Sequence, residues 1–503
     1  LIGQSLPSYL LSMLESVAGR LAKINQSHVL AFLPSLAGAQ RDALLSQLDG
    51  MDLESLPELV KSYVLSKPVL ALPADLQPAR YFALDGTVKG GGVSAGAGTA
   101  KTWDREAARA AGESLIRRGK VAAFVVAGGQ GSRLGFEGPK GCYPAGAVSN
   151  KPLFAMFAEA IKATGKKYGV SVPWYVMTSP LNHEQTVSFF RQHNSFGLDP
   201  TSIMFFQQGV MPSLDMATGK MLMSSKHEVA TNPDGHGGSV RALHVSGALA
   251  DMQRRGVEQL SYFQVDNPLV RVIDPVFIGL HVGAGVKGEG YGGSSGEMSS
   301  KMVAKAGPDE KVGVFCLANG KTEVIEYSDM PKELSQKADA QGNGGGLAFN
   351  AGSIAIHVMS VEFLQRLATN PAFALPCHRA EKKIPCIDAA GNAVTPTANN
   401  GVKLEKFIFD ALAMCKQSIV METDRNEEFA PIKNATGVDS VESSKALQTA
   451  RAARWLEAAG VKVPRNVDGS VDCVLEISAM TALEASELGG LKVEIAPGAR
   501  VVL

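Results

Sequence analysis

The chain predicts an α/β protein. Its core is a doubly wound, Rossmann-like mixed sheet, with an N-terminal helical domain before it and a small C-terminal β-rich domain after it. Three observations carry that expectation. Val121–Ala127 is an unbroken apolar run rich in β-branched residues, bounded by Lys120 and Gly128, the pattern of a strand buried on both faces. Strand-like runs then alternate with helical patterns as far as Val265. Further on, Asn319-Gly320 lies between two apolar runs and signals a two-residue hairpin, so antiparallel strands join the sheet.

Near the N-terminus Leu10, Leu14, Val17, Ala18 and Leu21 recur at helical spacing. Leu44, Leu45, Leu48, Met51, Leu53 and Leu56 extend the apolar pattern past Gly50. Residues 86–100 are rich in Gly, Ala and Ser and read as a linker. Domains are expected at 1–100 (helical, with the linker), 101–431 (the ligand-binding α/β domain) and 432–503. Within the second, Leu153–Ile161 is helical in pattern and Pro173–Thr178 strand-like. Asn182, with Gln185 three residues on, starts a helix running to about His193. Ile203–Phe206 and Gln259–Val265 are further strands, and Val312–Leu317 pairs with Thr322–Tyr327 across the hairpin turn. Ala348–Ile356 reads as a strand, Val361–Leu367 as the start of a helix and Leu404–Ala413 as helical. From about Pro464 the tail has short strand-like runs such as Leu491–Ile495.

Composition narrows the function. Hydrophobic residues make up 45% and charged residues 19%, enough for a sizeable core. Formal net charge is zero, so the broad basic surface that dominates nucleic-acid affinity is not expected. No apolar run approaches the ~20 residues that span a bilayer, so no membrane partner is expected. The six cysteines contain no C-x-x-C pair, which argues for a reducing compartment, read as cytoplasmic, rather than a disulfide framework. His227-Glu228 begins like a zinc-protease helix but lacks the second histidine.

The chemistry concentrates in Val126-Ala127-Gly128-Gly129-Gln130-Gly131-Ser132-Arg133, continuing to Pro139-Lys140-Gly141, directly after the first strand. Ligands in open α/β sheets bind beyond the carboxyl ends of strands. Closely spaced glycines let backbone N–H groups approach an anion, and Arg133 and Lys140 add two positive charges. Leu134 breaks the dinucleotide pattern G-x-G-x-x-G, and Pro139 and Gly141 around Lys140 break the Walker A pattern.

This loop resembles the signature of nucleotide-sugar pyrophosphorylases. Further blocks in order resemble the eukaryotic UDP-N-acetylglucosamine pyrophosphorylases: Phe205-Phe206-Gln207-Gln208-Gly209, Pro233-Asp234-Gly235-His236-Gly237-Gly238, Val265-Asp266-Asn267, Phe349-Asn350-Ala351-Gly352, Lys403-Leu404-Glu405-Lys406-Phe407 and Glu428-Phe429-Ala430-Pro431-Ile432-Lys433-Asn434. The resemblance runs from about Lys120 to Gly460 and is weak outside those limits. It implies a nucleotide-diphospho-sugar transferase fold. The implied reaction is uridylyl transfer: N-acetylglucosamine 1-phosphate attacks the α-phosphorus of UTP, giving UDP-N-acetylglucosamine and pyrophosphate, with Mg²⁺ as cofactor.

By the same resemblance, Arg133, Lys140 and Lys433 face the reacting phosphates. Asp266 ends an apolar strand, where a carboxylate can meet a ligand, and is the metal-ligand candidate, with Asn267 beside it. Val126, Ala127, Gly128, Gly129, Gln208 and Gly235 surround the nucleoside. His236, Glu326, Asn350, Ser353, Lys403 and Phe407 fall on the sugar-phosphate side. Two positions depart from the family pattern: His236 stands where Asp-Gly-Asn-Gly has asparagine, and Ser353 replaces an asparagine. A UDP-glucose or broad UDP-sugar pyrophosphorylase is therefore the alternative. An inactive nucleotide-sugar sensor is more remote, because Arg133, Lys140, Asp266 and Lys433 are all present.

Overall fold

A computed structural model describes residues 8–67, 72–91, 103–286, 293–339, 346–370 and 373–503. The linker expected at 86–100 thus lies outside the described residues from 92 onward. Contacts divide the chain into two compact units.

The smaller unit collects three separate segments, 1–71, 208–238 and 374–408. Helices Ser8–Lys23 and Gly38–Asp49 supply Val17, Leu21, Leu44, Leu45 and Leu48 to one core. The other side of that core comes from Leu214, Met221, Met223, Val229, Val402 and Leu404. A three-stranded antiparallel sheet holds Gly401–Lys406 between Cys377–Lys382 and Leu214–Asp215. The expected helix at 404–413 is corrected here. Gly401–Lys406 is a strand with Val402 and Leu404 buried, and only a 3₁₀ segment, Ile408–Met414, follows. The period-2 burial of a central strand overrides the helical spacing of the later apolar residues. Glu228–Val229 is likewise a short strand, paired with Met223–Ser225, so His227-Glu228 does not start a helix.

The larger unit comprises residues 72–207, 239–373 and 409–503. Its main strands are β1 (Tyr81–Phe82), β2 (Val88–Lys89), β3 (Val121–Val126), β4 (Trp174–Thr178), β5 (Ile203–Gln207), β6 (Gln259–Gln264), β7 (Met298–Ala304), β8 (Val314–Ala318), β9 (Lys321–Ile325), β10 (Ala351–Ser360) and β11 (Val420–Glu422). Helices are α1 (Arg105–Arg117), α2 (Leu153–Tyr168), α3 (His183–Gln192), α4 (Ser239–Val245), α5 (Ala248–Arg254), α6 (Pro275–His281), α7 (Val361–Thr369) and α8 (Val441–Ala458). The main sheet runs β2-β1-β11-β7-β10-β6-β3-β4-β5. From β6 to β5 the strands are parallel, and β10 pairs antiparallel with both β6 and β7.

Side-chain alternation places the helices. Val121, Ala123 and Val125 of β3, with Trp174, Val176 and Phe263, pack against Leu115, Phe157, Phe190 and Phe277 of α1, α2, α3 and α6. On the opposite face Phe124 meets Phe206 and Tyr262, with ring centroids 5.8 and 5.4 Å apart. There the Tyr175 hydroxyl donates to Asp251 of α5 at 2.7 Å. Helices thus cover both faces, as double winding requires.

The hairpin forms as expected: Val314 pairs with Ile325, and Asn319 and Gly320 both have positive φ, at 50° and 72°. In the tail, Leu491–Ile495 is not a strand; Val474–Glu476 pairs in parallel with Arg500–Val502 instead. Helix α8 begins with a capping box at Ser440 and Ser443.

Candidate active site

The loop after β3 lies where β3, β4 and β6 end side by side, with Val126 opposite both Met177 and Gln264. Ala127 donates its N–H to Met177 O at 2.7 Å, prolonging the strand before the chain turns. The loop then closes on itself: Gly131 donates to Gly138 O at 2.8 Å and Lys140 to Gly129 O at 3.0 Å. Ala127 is buried, Val126 and Gly128 are half-buried and Gly129 is exposed. An added Cβ at Gly141 would stand 2.1 Å from the Phe154 ring, so this glycine seats the loop on α2. Arg133 is exposed and makes no ion pair among the described residues.

One residue shaping this loop is Asn182. The sequence presents it as a helix start, yet its side chain makes no cap bond to α3. Buried instead, it donates to Ala127 O at 2.9 Å and Gly129 O at 3.2 Å, and its Oδ1 accepts from Ser179 N at 2.8 Å. Removing it leaves the buried Ala127 carbonyl without that donor, at a cost of about 1–3 kcal/mol. Asn182→Ala is expected to raise the KM for the nucleotide several-fold and lower Tm. Unchanged values for both in steady-state kinetics and a thermal melt would contradict this role.

Asp266 stands just beyond β6, with its carboxylate 3.9 Å from Lys140 Nζ. Its main chain holds the distant Lys433 block in place, because Ile432 donates to Asp266 O at 2.8 Å. Asn267 reinforces the join by donating to Glu428 O at 2.7 Å while its Oδ1 accepts from Ala430 N at 3.1 Å. Asp266, Asn267, Ser353 and Lys433 line one cavity of about 70 Å³. Lys433 Nζ lies 3.7 Å from Asp439 and 5.8 Å from the Phe429 ring centroid. Two lysines and a carboxylate from three remote stretches of sequence therefore meet around the ends of β3 and β6.

Behind this join is a buried ion cluster that sequence reasoning missed. Lys301 Nζ donates to Asp274 at 2.7 Å and to both oxygens of Glu428 at 2.6 and 2.7 Å, and all three side chains are almost wholly shielded from solvent. Lys301 lies in Met-Ser-Ser-Lys-Met-Val, an apolar strand in which one lysine reads as a solvated interruption.

On β10 the pairing with β7 is irregular between Ser300 and Met302, and Ala355 adopts a left-handed φ of 54°. Such a bulge re-aims neighbouring side chains at a cost in local strain, and here Ser353, Ile354, Ala355 and Ile356 all line the cavity. Ser353 N donates to Gly313 O at 2.8 Å, and a Cβ on Gly313 would stand 2.9 Å from Glu326 Oε1, so Glu326 and Ser353 share that neighbourhood. Asn350 is less central: its carbonyl accepts from Lys305 N at 2.9 Å and its side chain bonds Tyr81.

Gln208, Gly235, His236, Lys403 and Phe407 belong to the smaller unit. Buried Gln208 donates to Asp234 Oδ1 at 3.5 Å. Gly235 has φ +83°, and a Cβ there would come within 2.3 Å of Lys406 O, so only glycine permits this close approach. It presses His236 against Phe407, with centroids 5.0 Å apart and planes at 15°, and Phe407 in turn stacks on His378 at 4.2 Å. Ile408 N–H donates to His236 Nδ1 at 3.2 Å, placing the proton of the neutral ring on Nε2. Burial, with help from the His378 charge, pushes the imidazole pKa down to about 4. Lys403 is half-buried on the central strand, paired in register with Ala380.

Among the described residues no three His, Cys, Asp or Glu side chains cluster as a metal site. Magnesium needs no such cluster, because it takes one or two carboxylates together with substrate phosphates and water. Asp266 fits that role: it is part-buried at a strand end, lines the cavity, and sits beyond hydrogen-bond range of Lys140.

A family model described as UTP--glucose-1-phosphate uridylyltransferase matches residues 101–456. The human UDP-N-acetylhexosamine pyrophosphorylase-like protein 1 is 37% identical over 458 residues, covering 89% of this chain and 86% of that protein. The UDP-N-acetylglucosamine pyrophosphorylase of Saccharomyces cerevisiae is 36% identical over 400 residues, covering 78% of this chain and 80% of its own length. Among solved structures, the uridine diphosphate N-acetylglucosamine pyrophosphorylase of Trypanosoma brucei superposes with a TM-score of 0.75 at 27% identity, covering 97% of this chain and 95% of that one. The match extends from residue 101, ahead of α1, through the loop after β3 and the Lys433 block into α8, and on that ground the chain belongs to the UTP--glucose-1-phosphate uridylyltransferase family, among its eukaryotic-type UDP-N-acetylglucosamine pyrophosphorylases.

Proposed function

We propose that the chain transfers the uridylyl group of UTP to N-acetylglucosamine 1-phosphate, releasing pyrophosphate. The observation that carries this reading is the meeting of Lys140, Asp266 and Lys433 at the ends of parallel strands, beside a self-bonded glycine loop. The nucleophile is already a phosphate oxyanion, so no side-chain base is needed. What the reaction requires is the approach of two polyanions and stabilisation of an in-line transition state, and both are met by fixed positive charge. Lys140 and Arg133 hold the departing pyrophosphate, and Lys433 faces the phosphates where charge develops. Asp266 would hold Mg²⁺, whose contribution when bound is to neutralise phosphate oxygens. Gln208 offers a donor and an acceptor suited to the uracil edge. Six free cysteines suit a reducing compartment, and we place the reaction in the cytoplasm. Incubation with UTP and N-acetylglucosamine 1-phosphate should yield UDP-N-acetylglucosamine by mass spectrometry; chelation of divalent metal should stop product formation and added Mg²⁺ restore it. No nucleotide sugar with any metal present would sink the reading.

A second reading, a UDP-glucose or broad UDP-sugar pyrophosphorylase, is favoured by one specific observation. His236, which the family resemblance sets on the sugar side, is a stacked, neutral imidazole. With its pKa near 4 it stays uncharged through the working range, so it acts by shape and Nε2–H donation. His236→Asn is therefore expected to shift the kcat/KM ratio several-fold toward N-acetylglucosamine 1-phosphate over glucose 1-phosphate. The pH profile between about 5.5 and 8 should stay unchanged. A new or lost break near pH 6.5 in the variant's profile would contradict the neutral-ring assignment.

A further inference from the structure

One cavity of the larger unit, about 110 Å³, is lined by none of the residues assigned to the reaction. It lies among α1, α2, the segment after Asn267, α8 and the stretch beyond β-strand residues 474–476. Its charges are unevenly satisfied. Every acid on its wall has a partner: Glu484 takes a two-pronged contact from Arg109 at 2.9 and 3.0 Å. Glu159 pairs with Lys151 at 2.6 Å, Asp274 with Lys301 at 2.7 Å, and Glu476 accepts from Val148 N and Ser149 N at 2.8 Å.

Of the cations, Arg109 and Lys167 share these acids and Glu487, but Arg271 and Arg451 differ. Arg451 packs over the Trp455 ring at 4.9 Å and spends Nη1 on two backbone carbonyls, Leu269 O and Glu427 O, at 3.3 and 3.2 Å. Arg271 makes no side-chain hydrogen bond and no ion pair among the described residues. Its nearest acids, Asp274, Glu428 and Glu427, are held by Lys301 and by Arg454 and Trp455. The two guanidiniums also repel each other, which adds to the burial that pushes Arg451 down to about 10. A guanidinium presents donors in a planar fork that matches carboxylate and phosphate oxygens. Two such forks line one cavity whose acids already have partners, and both offer donors to an oxyanion.

We propose that this cavity is a second ligand site, taking a small oxyanion, a phosphate or a carboxylate, on Arg271 and Arg451. The wall from Pro268 to Asp274 follows directly on Asp266 and Asn267, so an occupant presses on the segment that carries the reaction's carboxylate. The site itself does not depend on the proposed reaction, and binding without turnover tests it.

Calorimetric titration of the full chain with inorganic phosphate, and separately with acetate, distinguishes the two ligand chemistries. Phosphate can also meet the loop after β3, so the titration is repeated on Arg133→Ala/Lys140→Ala. Binding of either anion should persist in that double variant and weaken by about tenfold or more in Arg271→Gln. Arg271→Lys, which keeps the charge and loses the fork, should fall between. A melting temperature of unliganded Arg271→Gln within a few degrees of wild type separates lost binding from lost fold; where it falls further, Arg271→Lys decides alone. Binding that vanishes in Arg133→Ala/Lys140→Ala and survives in Arg271→Gln overturns the proposal, as does absence of binding by both anions.

Discussion

Lys433→Ala is expected to lower kcat by about 10²–10³-fold while changing UTP affinity by less than about tenfold. Lys433 lies in a block fixed from both sides: Ile432 donates to Asp266 O, and Lys433 N itself donates to Asp439 O at 2.6 Å. The ammonium is thus carried on a hydrogen-bonded backbone beside a carboxylate-bearing strand end, and among the described residues Asp439 at 3.7 Å is its one ion-pair partner. A charge so placed acts where negative charge grows during transfer, and an interaction stronger in the transition state than in the ground state appears in kcat. Steady-state kinetics with both substrates varied makes the distinction. Loss of UTP affinity with unchanged kcat would reassign Lys433 to ground-state binding.

The second large effect is structural. Lys301→Met should destabilise the fold by about 3–5 kcal/mol, because it leaves two buried carboxylates without their cation. Glu428 would retain Thr423 Oγ1 at 2.7 Å and Arg271 N at 3.2 Å, too little for a charge shielded from solvent. Its backbone carbonyl is also what Asn267 holds, so loosening Glu428 loosens the Lys433 block. In the wild type, burial pushes the Asp274 carboxyl up, but the Lys301 and Arg271 charges outweigh it and hold it well below the carboxylate range. A depressed carboxyl contributes stability above its unfolded value near pH 4, and that contribution fades as pH falls toward the folded value. In Lys301→Met the main lowering charge is gone and burial raises the Asp274 carboxyl toward protonation. The gap from wild type in urea midpoints should therefore be widest near neutrality and narrow below about pH 5. A gap that stays constant with pH would show that lost packing, not stranded charge, carries the cost.

How legible this was from sequence depends on whether the signal is local. Val121–Val126 and the Asn319-Gly320 turn were readable because their determinants, β-branched burial and positive φ, lie within a few residues. Leu404–Ala413 reads as helical because Leu404, Ile408 and Leu412 have helical spacing, whereas its first residues belong to the strand Gly401–Lys406, which its two sheet neighbours define. No local pattern could show that segments 1–71, 208–238 and 374–408 share one core.

The candidate site follows the same rule. The glycine loop and Asp266 declare themselves by type and position after a strand. Lys433 entered only through family resemblance, since a lone lysine after Ile432 carries no signal of its own. Asn182 looked like a cap, and its real partners are main-chain carbonyls more than fifty residues earlier. Lys301 was missed for a related reason: its meaning depends on Asp274 and Glu428, which the fold alone brings to it.

The central claim is that these groups run uridylyl transfer to an N-acetylhexosamine 1-phosphate. Its most direct test is the rate of pyrophosphate release from UTP, with Mg²⁺ present, across a panel of sugar 1-phosphates. The account predicts release with N-acetylglucosamine 1-phosphate at a higher kcat/KM than with glucose 1-phosphate. No release with any sugar phosphate, or a strong preference for glucose 1-phosphate, would contradict it.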